Sequence, residues 1–307
     1  MRNDSEGNAS GIALLREETF MIPKIIHYCW FGGNPLPESA IKCINSWKKF
    51  FPDYEIKEWN ESNYDVTKIP YIKEAYEAKK YAFVSDYARF DILYQYGGVY
   101  FDTDVEVIKS FDDIIAKGGF MGQEAGATSG VNPTSNKSGS LEPGAVANPG
   151  LGIAVAPGLR LYREILDSYS TRHFIKGNGA YDTTTICVYT TEVLKKYGYD
   201  ETKEDIQEVA GITVYPPEYF CPYNVTSSKM NITENTRSIH WFSATWHTKL
   251  DDIVIRLEQC NKGNDSIEYK IRRTVSLPFR VINKAKIMGV RNTVAFAMRK
   301  LRGLSDR

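Results

Sequence analysis

The chain has 307 residues, 42% hydrophobic and 25% charged, with a formal net charge of zero. These are the values of an ordinary globular protein of one large domain or two small ones, and they exclude a collagen-like or low-complexity chain. No apolar run reaches the length of about 18 residues that marks a membrane-spanning helix.

The neutral total conceals an uneven distribution. Residues 270–307 carry eleven Lys and Arg against one acid, Asp306, a charge of +10 that leaves −10 on residues 1–269. Five cysteines form no Cys-x-x-Cys pair. An odd, dispersed set argues against a disulfide scaffold or zinc site and predicts a reducing compartment.

Residues 1–20 are rich in Ser, Asn, Gly and Glu and are expected to be a disordered tail. They lack the apolar core of a signal peptide, and Met21 is a candidate natural start. A first strand is predicted over Lys24–Trp30, closed by Gly32 and Gly33. Ile41, Ile44 and Trp47 have helical spacing within 37–50. Tyr54–Trp59 alternates as a second strand. A long helix is predicted over Tyr71–Tyr96, ended by Gly97 and Gly98. On it, Ala82, Asp86, Arg89, Phe90 and Leu93 share one face. An acid and a base on an apolar stripe form either an i,i+3 pair at its rim or a charged pair aimed into a cleft.

Val99, Tyr100 and Phe101 then read as a short buried strand. It delivers Asp102 and Asp104 where the chain leaves the sheet. Residues i and i+2 share a face, so one bend aims both carboxylates at one point. Crowded carboxylates repel unless a cation lies between them. A hard divalent ion, Mn²⁺ or Mg²⁺, suits oxygen ligands and bridges to phosphate. The plain alternative is a polar turn after an edge strand.

Short strands are predicted at 118–123 and 152–156, with a Gly-, Ser-, Asn- and Pro-rich loop over 125–149 between them. Helices are predicted over 157–169 and 183–197, and a strand over 212–215. Ser238–Trp246 holds one His and two Trp. His240 is either a metal ligand or a core histidine beside Trp241, and His27, in mid-strand, is assigned to the core. In the tail, Ile287, Val290, Val294, Met298 and Leu301 recur at helical spacing with basic flanks. That suits a helix lying in a membrane surface, the favoured reading, or one docked on the acidic body.

Three stretches form a joint pattern: IIHYCWFGG (25–33) with INSWKKFFPDYEIKEWNE (44–61), AFVSDYARFDILYQYGGVYFDTDVEVI (82–108), and SIHWFSATW (238–246). The chain resembles glycosyltransferase family 32, the DxD sugar transferases. That family includes capsule and polysaccharide transferases, mannosyltransferases and, distantly, the clostridial glucosylating toxins. The resemblance implies an α/β GT-A fold, a Rossmann-like nucleotide-sugar-binding sheet flanked by helices, over residues 21–249. A basic helical C-terminal extension follows over 250–307. It implies Trp30 stacked on the nucleobase, and Ser85, Tyr100 and Trp246 among the donor contacts. On the same resemblance, Asp86, Arg89 and Asp102 would handle sugar and phosphate. The resemblance also implies Asp102, Asp104 and, as a further ligand, His240 as the residues that hold Mn²⁺ or Mg²⁺.

The activity implied is retaining, metal-dependent transfer from a nucleotide-sugar, UDP-sugar favoured, to a glycan or lipid-linked glycan in polysaccharide synthesis. No nucleic-acid partner is expected. The expected location is cytoplasmic, peripheral at the inner face of the membrane through 270–307. Two departures bear on the acceptor. Residues 180–185 replace a Gly-Pro turn common in the family, and 125–149 is a local expansion. Competing classes are a metal-dependent phosphoesterase and a non-catalytic carbohydrate-binding protein on the same fold.

Overall fold

The computed structural model describes residues 21–125, 145–177, 179–224, 229–243, 271, 274–279 and 281–282. A seven-stranded sheet organises them, in the order β2-β1-β3-β6-β5-β8-β7. Its strands are β1 (Ile25–Cys29), β2 (Glu55–Trp59), β3 (Gly98–Tyr100), β5 (Gly119–Ala125), β6 (Ala145–Val155), β7 (Gln207–Val209) and β8 (Ile212–Tyr215). β1 runs parallel to β2 and β3, and β5 parallel to β8. Only β6 and β7 run the other way, so five of the seven strands point in one direction. A two-stranded sheet pairs β4 (Val105–Val107) with β11 (Ser238–His240). Another pairs β9 (Tyr223–Asn224) with β10 (Lys229–Met230).

Helices cover both faces, as expected for this α/β class. α1 (Glu38–Phe50) starts after Pro37, with Glu38 in its first turn and Lys48 and Lys49 in its last. Those charges complement the helix dipole. Its buried stripe, Ala40, Cys43, Ile44 and Trp47, packs with Phe101, Phe111 and Phe220 on one face of the sheet. α4 (Asp112–Ile115) and α7 (Pro217–Phe220) complete that layer. The other face carries α2 (Pro70–Glu77), α3 (Tyr81–Tyr96), α5 (Arg160–Asp167) and α6 (Ile186–Lys195). β3 shows why one strand serves both layers. Val99 enters the first cluster and Tyr100 the second, because successive side chains alternate.

The helix predicted over 71–96 is two helices. The chain breaks at Lys79, whose φ of +57° lies in the left-handed region. No Gly or Pro marks the break, so sequence pattern could not find it. α3 is buried nearly all round, through Phe83, Val84, Tyr87, Ala88, Phe90, Ile92 and Leu93. Any charge it carries must therefore be paired. Gly97 ends it, with its N–H bonded to Leu93 O at 2.9 Å. Gly98 then packs so close to β1 that a Cβ would lie 2.7 Å from Ile25 O.

The segment predicted as a short strand at 152–156 is the end of the eleven-residue β6, so 145–149 belongs to the sheet rather than to a loop. β7 was not predicted. His27 is a core residue, as expected. Trp59 Nε1 donates to its Nδ1 at 3.1 Å, its Nε2 lies 3.0 Å from Gly97 O, and burial holds the imidazole neutral down to about 4. Of the C-terminal extension, residues 271, 274–279 and 281–282 are helical, and the rest of 250–307 lies outside the described residues, as does the loop over 126–144.

Candidate active site

α3 and the exit from β3 meet over one guanidinium. Arg89 Nη2 lies 2.9 Å from Asp86 Oδ1 and 3.3 Å from Asp102 Oδ1, and Nη1 donates to Asp102 Oδ2 at 3.3 Å. The i,i+3 pair predicted on the helix is therefore not at the rim: Arg89 is 4% exposed, and it reaches across to the motif strand. Two nearby groups fix its plane. Arg89 Nε donates to Ser85 O at 3.2 Å, and the guanidinium lies 5.1 Å from the Tyr100 ring centre. Tyr100 Oη donates to Asp102 Oδ1 at 3.1 Å, so Asp102 is held from two sides. Ser85 Oγ is turned back to Tyr81 O at 3.2 Å.

Asp104 has separate partners. Its Oδ1 lies 3.2 Å from His240 Nε2, and its Oδ2 accepts the Ser243 N–H at 2.8 Å. The β4–β11 pairing makes this possible, because His240 lies opposite Val105 and Trp241 N–H reaches Asp104 O at 3.0 Å. His240 is buried, and its Nδ1 has no hydrogen-bond partner among the described residues.

The electrostatics divide the acids. Burial pushes the Asp86 carboxyl up to about 7, more than the Arg89 charge draws it down. Asp102 is raised as well, by burial first and by the nearby Asp104 charge, against the pull of Arg89. Burial would raise Asp104 too, but the His240 charge and hydrogen bond and the Ser243 N–H overcome it and bring the carboxyl to about 2. His240 is the mirror case: burial lowers it, and Asp104 more than compensates, so the imidazole is raised.

Two carboxylates near enough to repel, beside an imidazole, form a donor set that fits a hard divalent cation. Among the described residues no three His, Cys, Asp or Glu side chains already surround one point. His240 is the charge partner of Asp104 in this arrangement, and it would have to lose its proton to serve as a ligand.

Of the residues singled out in the sequence, Ser85, Asp86, Arg89, Tyr100, Asp102, Asp104 and His240 are therefore gathered at one end of the sheet. Trp30 is half-buried on the loop after β1, with its Nε1 bonded to Asn34 O at 2.6 Å. Among the described residues Trp30 makes no hydrogen bond to the acids. Trp246 lies outside the described residues. Sequence reasoning missed the Ser243 amide, because a backbone donor leaves no residue-type signal. It also missed Gly150, whose carbonyl accepts the Asp102 N–H at 3.4 Å.

Comparison with known proteins bears on this geometry. The sequence profile described as "Glycosyltransferase sugar-binding region containing DXD motif" matches residues 37–121. Inositol phosphoceramide mannosyltransferase 3 of Schizosaccharomyces pombe is 34% identical over 98 residues, 31% of this chain and 27% of the relative. Inositol phosphoceramide mannosyltransferase 1 of the same organism is 31% identical over 111 residues, 33% of each chain. The chain thus spans about a third or less of the length of these relatives. The solved PaToxG glycosyltransferase aligns over 61% of this chain and 77% of its own, at 18% identity and a TM-score of 0.42, too low to carry an argument. The matched profile contains α3, β3 and both motif aspartates, so over residues 37–121 the chain is similar to the DXD-motif glycosyltransferases.

Proposed function

We propose that the chain is a retaining, metal-dependent glycosyltransferase of the GT-A type. It moves a sugar from a nucleotide-sugar, UDP-sugar favoured, to a glycan or lipid-linked glycan during synthesis of a polysaccharide such as a capsule. The observation that carries this reading is the buried Arg89 joined to both Asp86 and Asp102, with Asp104 following Asp102 in the same motif. A fixed cation flanked by hydroxyl-binding carboxylates suits a charged leaving group attached to a sugar.

Asp102 and Asp104, with His240 once deprotonated, would hold Mn²⁺ or Mg²⁺. When bound, the ion supplies Lewis-acid stabilisation of the departing diphosphate. Arg89 pairs the same negative charge through its fork of N–H donors. Asp86 and Asp102 take sugar hydroxyls and orient the anomeric carbon. Trp30, Ser85, Tyr100 and Trp246 complete the donor site. In a same-face reaction the acceptor hydroxyl attacks as the C–O bond to phosphate breaks, and the leaving phosphate takes the hydroxyl proton. The transition state is oxocarbenium-like.

The test is a screen of UDP- and GDP-sugars with Mn²⁺ for nucleotide release. Release from at least one donor is expected, with the anomeric configuration retained in the NMR spectrum of a transfer product. No release from any donor overturns the reading, as does phosphate release from simple esters alone.

A lipid-linked acceptor at the inner face of the cytoplasmic membrane is favoured by two observations. The two Schizosaccharomyces pombe relatives are named for transfer to inositol phosphoceramide. The basic segment also exposes Ile271, Val275, Leu277, Val281 and Ile282, the first at 59% and the last at 48%. Basic residues near an anionic surface contribute about 1 kcal/mol each. Deleting 270–307 should therefore release the protein from phosphatidylserine vesicles in a co-sedimentation assay while nucleotide release persists. Undiminished sedimentation refutes the membrane role.

A further inference from the structure

β6 leaves its ladder just where the motif strand ends. Tyr100 of β3 pairs with Ile153, and Met121 of β5 pairs with the same residue from the other side. The next pair across β5 and β6 is Gly122 with Asn148, so residues 149–152 bulge out between the two. All four are buried. The bulge lies along the chain that carries β3 into the motif, with Gly150 O accepting the Asp102 N–H at 3.4 Å.

Two glycines mould it there. At Gly152 a Cβ would come 2.7 Å from Phe101 Cε1. At Gly150 a Cβ would overlap Asp102 Oδ2 and lie 3.3 Å from Arg89 Nη1. The two positions need glycine for different reasons. Gly152 has a φ of +134°, a conformation that side chains resist. The φ of Gly150 lies outside that region, so its backbone would accept any residue. What demands glycine at 150 is the Asp102–Arg89 pair beside it.

The bulge is anchored at several points. Leu151 is fully buried in the cluster of Phe101, Phe111 and Phe220. Asn148 Oδ1 accepts the Gly150 N–H at 2.8 Å, and Asn148 Nδ2 donates to Glu124 Oε2 at 2.7 Å. Ala147 N–H donates to Thr191 Oγ1 of α6 at 3.1 Å. A wall packed and tied in this way is stiff. We propose that Gly150, held by Asn148, is a positioning residue for Asp102. It fills the space beside the carboxylate and leaves it the one orientation in which it meets both Arg89 and Tyr100. This rests on the transferase reading and adds to it a residue that sets the geometry without touching substrate.

The test places Gly150→Ala in the wild type and in Asp102→Ala, where the overlapped oxygen is gone. In the wild type it should lower the urea-unfolding midpoint and slow Mn²⁺-dependent nucleotide release about 100-fold, the cost of a displacement of about 1 Å. In Asp102→Ala it should change release less than about threefold and leave the midpoint nearly unmoved, because the two sites are coupled. A glycine needed only for packing would give the same losses in both backgrounds. That result overturns the proposal, as does full release from Gly150→Ala alone. Should Gly150→Ala not fold, Asn148→Ala frees the Gly150 N–H without adding an atom. It should slow release about tenfold in the wild type and not in Asp102→Ala, and equal losses or none overturn the proposal. If the wild-type protein releases nucleotide from no donor, it is the transferase reading that has failed, and the urea midpoints still decide whether Gly150 acts on Asp102.

Discussion

Asp104→Ala should lower Mn²⁺-dependent nucleotide release by about a thousandfold or more, since a bound ion contributes several kcal/mol to the transition state. Raising Mn²⁺ should not restore the rate, because the lost group is the ligand itself. Wild-type turnover at saturating Mn²⁺ would remove the metal from the mechanism. The substitution also has a stability signature. The Asp104 carboxyl sits at about 2 in the folded protein, below its unfolded value. Its stabilisation is therefore complete above the unfolded pKa and disappears as pH falls toward 2. At neutral pH the alanine variant should lose about 2 kcal/mol. Toward pH 2 wild type and variant should converge, as urea-unfolding midpoints across the pH range would reveal.

Arg89→Ala should be the most destabilising single change in the site. It leaves Asp86 and Asp102 buried without their shared cation, and breaking such a pair costs about 3–5 kcal/mol. The direction with pH is fixed by the two carboxyls. Both are already raised, and loss of Arg89 raises them further, so the folded variant binds protons more tightly than the unfolded chain. Its stability must fall as pH rises, and the gap from wild type should widen between pH 5 and 8. Arg89→Lys keeps the charge but not the fork and should recover only part of the loss. A gap that narrows with rising pH would mean that the guanidinium does not hold both acids.

What the sequence revealed follows how local each signal is. The glycine pair after Tyr96, the short strand through Tyr100 and the aspartates beyond it are contiguous, and each was placed from neighbouring residues alone. Asp86 and Arg89 were put on one helical face, but their depth was not legible, because burial depends on α5 and α6 packing over α3. His240 was a candidate ligand through the family resemblance, its aromatic neighbours pointing instead to a core histidine, and its pairing with Asp104 needed the β4–β11 ladder. Gly150 carried no motif, since its closeness to Asp102 comes from a register shift between β5 and β6. The break at Lys79 was invisible for a different reason: a lysine there adopts a backbone conformation usually left to glycine.

The β4–β11 ladder has a bearing on synthesis as well as on chemistry. Asp104 Oδ2 takes its backbone N–H from a residue 139 positions later. While the polypeptide is still being made on a ribosome, the acidic end of the sheet must wait for that late segment to emerge. The stretch shared with the family is finished long before, and a nascent chain halted there would carry the signature residues with Asp104 still lacking its partners. Contacts this distant in sequence are slow to form, so completion of the pocket belongs to the last stages of folding.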